Sequence, residues 1–124
     1  MEGYYVNIRE VSRPITAKER VMIKDTTNAI SLDEATNSAK FVFDPDYYAI
    51  LDVHNEKSED KDYVKYVIVE KSGTKLVTGS ESFFTSFKSI MDEMCDCDED
   101  FSIEAYRMPS KNYKGKEFIT CSIV

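Results

Sequence analysis

Glycine and proline are scarce in this sequence, and long apolar runs are missing from it. Only 4 of the 124 residues are glycine and 3 are proline, which argues against a low-complexity or collagen-like chain. No apolar run approaches the roughly 18 residues that a membrane-spanning helix needs. Residues 1–7 have neither the basic region nor the apolar block of a secretory signal. We therefore expect a globular protein with no membrane partner.

Cysteine and histidine are also scarce. Three cysteines, an odd number, fit reduced thiols better than a disulfide framework, so we expect a cytoplasmic location. Cys95 and Cys97 lie among acids, but a tetrahedral zinc site needs four ligands and the sequence offers no second pair. The single histidine, His54, follows Asp52 closely without a placed nucleophile. We therefore predict no metal, no cofactor and no catalytic activity.

Charge is unevenly distributed along the chain. The net charge is −7 and the pI is about 4.7, whereas proteins that coat nucleic acid are usually basic. Six acidic residues and no basic one lie from Asp92 to Asp100, while four basic residues and no acidic one lie from Arg107 to Lys116. Because the charges are segregated, an acidic protein of this kind can still have a basic site.

Alternating or apolar runs predict strands along most of the chain. The predicted strands are Tyr4–Val11, Arg20–Asp25, Lys40–Phe43, Tyr47–His54, Tyr63–Lys71, Lys75–Gly79, Phe101–Met108 and Lys116–Val124. Asp44–Asp46 predicts a turn, and Gly73 closes a hairpin. Ser31 and Glu34 have the spacing of a capping box, which allows one helical turn around Asp33–Thr36.

One longer helix is predicted, over Ser80–Met94. Its apolar residues form one continuous stripe: Phe83, Phe84, Phe87, Ile90, Met91 and Met94. Ser80 or Ser82 can cap its first turn, and Glu81 suits the positive end of the helix dipole. We interpret the three phenylalanines as core residues, with a polar face on the opposite side of the helix.

The order of these elements indicates a mostly β fold with one helix. From Tyr47 onward, three strands, a helix and two strands match an oligonucleotide-binding (OB) barrel, in which the helix lies between the third and fourth strands. The alternative is an α+β sheet with one packed helix, which has the same order of elements. We expect a single domain over residues 1–124, with N-terminal strands in 1–40 and the barrel in 41–124.

The loop between the last two predicted strands is the main candidate site. In OB barrels this loop commonly binds single-stranded nucleic acid. Its cations can neutralise phosphates, and its aromatic rings can stack on bases. The candidate residues are Tyr106, Arg107, Lys111, Tyr113, Lys114 and Lys116, with Lys65, Tyr66 and Lys71 as an extension of the same surface.

Two segments carry a resemblance to a known group of proteins. They are Lys75-Leu-Val-Thr-Gly-Ser-Glu-Ser-Phe-Phe and Pro109-Ser-Lys-Asn-Tyr-Lys-Gly-Lys-Glu-Phe-Ile-Thr-Cys-Ser-Ile-Val. They resemble small uncharacterised proteins of Gram-positive phages, plasmids and integrative elements, some of which are similar to single-stranded DNA-binding proteins. The resemblance covers mainly the C-terminal half. It implies DNA binding by a protein of a mobile element.

Three hypotheses follow for the function. The first is a non-catalytic protein that binds single-stranded DNA or RNA. The second is an acidic inhibitor or adaptor of the phage type, which binds a basic host protein through Asp92–Asp100 and the acids of 56–62. The third is a structural subunit whose strand edges pair into a homo-oligomer.

Overall fold

The computed structural model describes residues 3–37, 39–57, 59, 61–95, 99–110 and 115–124. These residues form strands β1 (Tyr4–Val11), β2 (Ile30–Ser31), β3 (Phe41–Phe43), β4 (Pro45–Asn55), β5 (Asp62–Glu70), β6 (Lys75–Thr78), β7 (Ile103–Pro109) and β8 (Glu117–Ile123). The helices are α1 (Ala17–Lys24), α2 (Leu32–Ala35) and α3 (Glu81–Met94). The chain divides into a first unit, Met1–Ile30 with Asp46–Gly79, and a second unit, Ser31–Pro45 with Ser80–Val124. That these units make one domain stays a prediction.

The first unit is built on a sheet of order β1-β4-β5-β6-β2. β1 pairs antiparallel with β4, with a register shift between Ile8 and Glu10. β5 pairs antiparallel with β6 through a turn in which Gly73 has a φ of 95°, as the sequence predicts. The core alternates along the central strands, and its buried residues are Ile23, Tyr47, Ala49, Leu51, Val53, Val67 and Val69.

The strand predicted at Arg20–Asp25 is wrong, because Arg20–Lys24 belong to α1 and Asp25 is its C-cap. Thr16 caps the helix in a capping box with Glu19, which satisfies backbone donors at the first turn. Three consecutive apolar residues suggested a strand, but only Ile23 of α1 is buried, while Val21 is 70% exposed. One buried residue in an eight-residue segment fits a helix at the surface, since a strand packed on one face would bury every second residue.

The predicted turn at Asp44–Asp46 is also wrong, because β4 already begins at Pro45. The backbone of Ser12 donates to the carbonyl of Tyr48 at 3.0 Å, and the Arg13 guanidinium donates to Asp46 at 3.0 Å. These contacts hold the chain after β1 against the start of β4. Proline is tolerated here because the first residue of a strand can do without a ladder donor.

The second unit is an antiparallel sheet of order β3-β7-β8 with α3 packed against it. The predicted helix is confirmed, with Ser80 as its N-cap. Phe83, Phe84 and Phe87 are buried, and the rings of Phe87 and Phe43 lie 6.1 Å apart. The short helix α2 is confirmed near the predicted turn, and the Ser31 side chain accepts from the Glu34 amide.

The predicted polar face of α3 is in part a packing face. The hydroxyl of Ser82 donates to the backbone carbonyl of Ile119 at 3.2 Å, and the hydroxyl of Thr120 donates to that of Ser86 at 3.3 Å. Small hydroxyl side chains therefore let the helix lie close to β8 while satisfying polar groups of that strand.

The predicted OB barrel is wrong. The strands expected to close one barrel are divided between two sheets, β4, β5 and β6 in one and β7 and β8 in the other. N-terminal strands occupy the edges through which a barrel would close: β1 lies beside β4, β2 beside β6 and β3 beside β7. The alternative of one sheet with one helix is wrong too, since the described residues form two sheets and three helices.

Candidate functional site

The predicted site residues fall in different parts of the chain. Lys65, Tyr66 and Lys71 belong to the first unit, whereas Tyr106, Arg107 and Lys116 belong to the second. Lys111, Tyr113 and Lys114 lie outside the described residues. In the second unit Tyr106 and Arg107 are neighbours on β7, and Ser110 at the end of β7 donates to the Lys116 carbonyl at 2.9 Å.

Two of the first-unit residues, Lys65 and Tyr66, have partners within that unit. The Lys65 ammonium donates to the hydroxyl of Thr26 at 3.4 Å, in the segment that follows α1. Tyr66 pairs with Thr78 of β6 in the register of the sheet. The ammonium of Lys65 is therefore held within its own unit. Tyr106 and Arg107 are adjacent on β7 of the second unit. We therefore describe the candidate site in that unit.

One face of the β3-β7-β8 sheet carries the buried residues and the other face is largely exposed. The buried face consists of Phe43, Ile103, Ala105, Ile119 and Cys121. Because side chains alternate along strands and the register is known, the opposite face consists of Val42, Glu104, Tyr106, Met108, Phe118, Thr120 and Ser122. We call this the outer face.

The outer face presents large apolar side chains to solvent. Val42 is 54% exposed, Met108 43% and Phe118 39%. Tyr106 is half-buried, and its hydroxyl oxygen lies 2.7 Å from that of Ser122 on β8. Tyr106 is paired with Thr120 in the register, so Ser122 is its diagonal neighbour. The phenol ring is thereby tied to the neighbouring strand at its tip.

One cation, the Lys40 ammonium, lies beside Tyr106. The Lys40 ammonium lies 5.7 Å from the centroid of the Tyr106 ring and 3.2 Å from a carboxylate oxygen of Glu104. Lys40 comes just before β3, so the pairing of β3 with β7 brings it to this position. A cation at this distance from an aromatic ring is weakly attracted to the ring face. Neither contact involves residues that are close in sequence.

Sequence reasoning missed Lys40 and Phe118. For Lys40 the sequence carries no signal, since its position depends on a pairing between distant strands. For Phe118 a signal exists. Ile119, Cys121 and Ile123 make a wholly apolar face of β8, whereas Phe118 shares its face with Thr120 and Ser122. The more apolar face is the one that packs inward, which turns Phe118 outward.

Arg107 points away from the outer face. Its Nη2 donates to the backbone carbonyl of Asp33 in α2 at 2.6 Å. Its Nε is buried and has no hydrogen-bond partner among the described residues. A buried donor without a partner costs free energy on the order of 1–3 kcal/mol. The guanidinium is therefore fixed at one nitrogen and unsatisfied at another.

A cavity of about 370 Å³ lies along the edge of β7. It forms because β3 pairs with β7 only from Ile103 to Ala105. Beyond Ala105, β7 has no partner strand on this side among the described residues, which leaves a gap. The residues that line the gap are Thr36, Asn37, Ala39, Lys40, Tyr106, Arg107, Met108 and Glu117. Two of the predicted site residues, Tyr106 and Arg107, therefore line the same cavity as Lys40, Glu117 and Asn37.

The histidine lies in the first unit, between two carboxylates. His54 Nδ1 lies 2.6 Å from an Asp62 oxygen, and Nε2 lies 2.6 Å from a Glu56 oxygen. The hydrogen bonds to Asp62 and then to Glu56 raise the pKa of His54 above its usual value. The ring also stacks on Tyr5, with centroids 4.9 Å apart. With both nitrogens engaged, this side chain holds the end of the β4–β5 hairpin.

In the described ranges, no group of three or more histidine, cysteine, aspartate or glutamate side chains is arranged to hold a metal ion. The helices that the structure describes are all too short or too polar to cross a membrane.

Comparison with protein-family models, with curated proteins and with solved structures gives no match.

Proposed function

We propose that the protein binds single-stranded nucleic acid, without catalysing a reaction, on the outer face of the second unit. The observation that carries this proposal is the pair of aromatic side chains, Tyr106 and Phe118, on one largely exposed sheet face. Association with a phage, plasmid or integrative element stays a prediction from the sequence resemblance. The proposal does not depend on an OB barrel.

Stacking is the main interaction in this proposal. Tyr106 pairs with Thr120 and Met108 pairs with Phe118, so the residues Tyr106 and Phe118 are diagonal neighbours on adjacent strands. Diagonal neighbours in a sheet lie about 7–8 Å apart, which lets two successive bases each take one ring. A base stacked on an aromatic side chain contributes roughly 1–3 kcal/mol whatever its sequence. Exposed apolar area beside the rings, at Val42 and Met108, also favours flat ligands.

Cations contribute less than stacking here. Lys40 adjoins Tyr106 but is paired with Glu104, and Glu117 lies near Lys116 in sequence. The sheet thus has few cations for phosphates. Binding to a single strand changes with salt by about −0.7 in log K per log salt for each phosphate contact. We therefore expect a shallow salt dependence, unless Lys111 and Lys114 add the phosphate contacts that the sequence predicts for them.

The acidic hypothesis rests on a different observation, the net charge of −7. Of the acids in Asp92–Asp100, Asp96 and Asp98 lie outside the described residues. Asp92 is paired with Lys88 of α3 at 3.3 Å. A basic protein partner would thus meet the C-terminal end of α3. This remains the second candidate, and it uses a surface of opposite charge.

The test is fluorescence anisotropy with a labelled single strand of about 30 nucleotides and a duplex of the same length. We expect preference for the single strand. Tyr106→Ala and Phe118→Ala should each weaken binding about 5-fold to 100-fold, which corresponds to one lost stacking contact. Tyr4→Ala, at an exposed tyrosine of the first unit, is the matched control and should bind as the wild type does.

Two results would contradict the proposal. If neither nucleic acid binds, nucleic-acid binding is rejected and a basic protein partner becomes the leading hypothesis. If both variants bind as tightly as the wild type, the outer face is not the binding surface. In that case the loop of Lys111, Tyr113 and Lys114 would be examined next.

A further inference from the structure

Three charged residues line the cavity beside β7. Lys40 is paired with Glu104, whereas the opposite charges of Arg107 and Glu117 do not meet. Arg107 is paired with Ile119 in the register and Pro109 with Glu117, so Arg107 and Glu117 are diagonal neighbours on adjacent strands. Both line the cavity. In the part of the chain that the structure describes, no hydrogen bond or ion pair joins their side chains. Among the described residues, Arg107 Nε has no hydrogen-bond partner.

These groups define the chemistry of a ligand. Arg107 requires a hydrogen-bond acceptor and Glu117 requires a donor. A phosphate would satisfy Arg107 but would be repelled by the Glu117 carboxylate, and an amine would be repelled by the guanidinium. A neutral ring that has acceptors on one edge and donors on another satisfies both groups. Tyr106 and Met108, which also line the cavity, provide apolar contacts for such a ring.

We propose that the cavity takes one guanine base, with Arg107 donating to its acceptor edge and Glu117 accepting from its donor edge. Guanine has adjacent acceptors, N7 and O6, and it is the base whose other edge offers two neighbouring donors, N1–H and N2–H, to one carboxylate. The cavity volume of about 370 Å³ is within the range of small-ligand sites. This inference rests on the proposed function, because it gives base preference to the same unit.

The first experiment uses strands of about 12 thymidines in which one central position is thymidine, guanosine, adenosine or inosine. We expect guanosine to bind about tenfold tighter than thymidine, since one bidentate base contact discriminates by about that factor. Adenosine should bind as thymidine does. Inosine keeps the acceptor edge but lacks the N2 amino donor, so it should fall between guanosine and thymidine.

The variant Glu117→Gln tests the donor edge. It replaces a carboxylate, which can accept from both N1–H and N2–H, with an amide that has one acceptor oxygen. Because Arg107 still contacts the acceptor edge, the guanosine-to-thymidine ratio should fall well below the wild-type value but stay above one. Glu10→Gln, at an exposed acid on β1, is the matched control and should keep the ratio. Arg107→Lys, checked for folding by circular dichroism, should lower the ratio as well, because lysine cannot replace the planar guanidinium.

A second measurement does not require strand binding. The Nε–H of Arg107 gives its own ¹⁵N–¹H resonance, and guanosine monophosphate should shift it while adenosine and uridine monophosphates should not. A response to the free nucleotide with no strand preference would assign the cavity to nucleotides in solution.

The outcomes separate the two proposals. Strand binding with equal affinity for all four central bases, and no response of Arg107 Nε–H, overturns the guanine site and leaves the proposed function in place. A guanosine preference that is undiminished in Glu117→Gln overturns the assigned contact. Failure of every strand to bind rejects the proposed function, and the nucleotide titration then decides the guanine site by itself.

Discussion

The ammonium of Lys75, at the start of β6, donates a hydrogen bond of 2.8 Å to the backbone carbonyl of Met22 in the last turn of α1. It also donates to the carbonyl of Asp25. The last carbonyls of a helix have no partner within the helix, and a cation there also interacts favourably with the helix dipole. The Lys75 side chain of β6 thus donates hydrogen bonds to carbonyls at the C-terminal end of α1, which is distant in sequence.

We predict that Lys75→Met lowers the free energy of unfolding by about 1 kcal/mol. Methionine keeps the length of the side chain and removes only the donor and the charge. Urea unfolding followed by circular dichroism measures the change. Lys57→Met, at an exposed turn lysine, should change the same quantity by less than about 0.5 kcal/mol. Equal effects of the two variants would mean that the contact does not stabilise α1.

His54 should make stability depend on pH. Because Asp62 and Glu56 raise its pKa in the folded protein, the folded state holds the proton more tightly than the unfolded state. The resulting stabilisation is complete below the unfolded pKa of about 6.5 and is lost as pH rises through the folded pKa. Urea unfolding from about pH 6 to about pH 9 should show this loss, and His54→Gln should remove it.

An NMR titration of the His54 ring provides an independent check. Its midpoint should lie above about 6.5, the usual histidine value. Asp62→Asn removes the first contributor to the raised pKa and should move the midpoint down. A midpoint at or below the usual value in the wild type would contradict the geometry of the carboxylate pair.

Two glycines should respond in opposite directions to alanine. Gly73 has a φ of 95°, which an L side chain adopts only at a cost, so Gly73→Ala should destabilise the protein by about 1–2 kcal/mol. At Gly79 an added Cβ meets no atom within 4 Å and φ is not positive. Gly79→Ala should therefore be neutral or stabilise by up to about 1 kcal/mol, through the unfolded chain. Thermal unfolding of both variants checks the difference in sign.

The strands and the helix from β4 onward could be predicted because the spacing of their apolar residues indicates which side of each element is buried. β5 and α3 are examples, since alternation and a helical stripe of phenylalanines are local properties. The segment at Val21, Met22 and Ile23 could not be read in this way. Three adjacent apolar residues look like a buried strand, yet the buried side chain there is that of Ile23.

The pairing of strand edges could not be predicted, and it decides the fold. Tyr4 of β1 pairs with Asn55 of β4, a contact between distant residues that no local pattern encodes. The candidate site likewise combines residues that are adjacent in sequence with residues that only strand pairing brings together. Tyr106 and Arg107 could be predicted as a pair because they are adjacent on one strand. Lys40 reaches Tyr106 only through the pairing of β3 with β7.

The two described cysteines should differ in reactivity because the inward face of β8 buries Cys121. Cys95 is exposed at the end of α3, whereas Cys121 is buried and burial raises its pKa to about 12. A thiolate is the reactive species, so iodoacetamide at about pH 8 should modify Cys95 and leave Cys121 intact. Trypsin places them in the separate peptides 89–107 and 117–124. The first peptide also contains Cys97, so fragment-ion mass spectrometry is used to assign the modification of Cys95.

Denaturant supplies the control, since both thiols should react in the unfolded chain. The comparison also bears on the candidate site. Cys121 and Phe118 belong to opposite faces of β8, so protection of Cys121 reports that the inward face is closed and that Phe118 is held outward. If Cys121 reacted as fast as Cys95 in the folded protein, β8 would not keep this orientation. The two-ring surface of Tyr106 and Phe118 would then lose its structural basis.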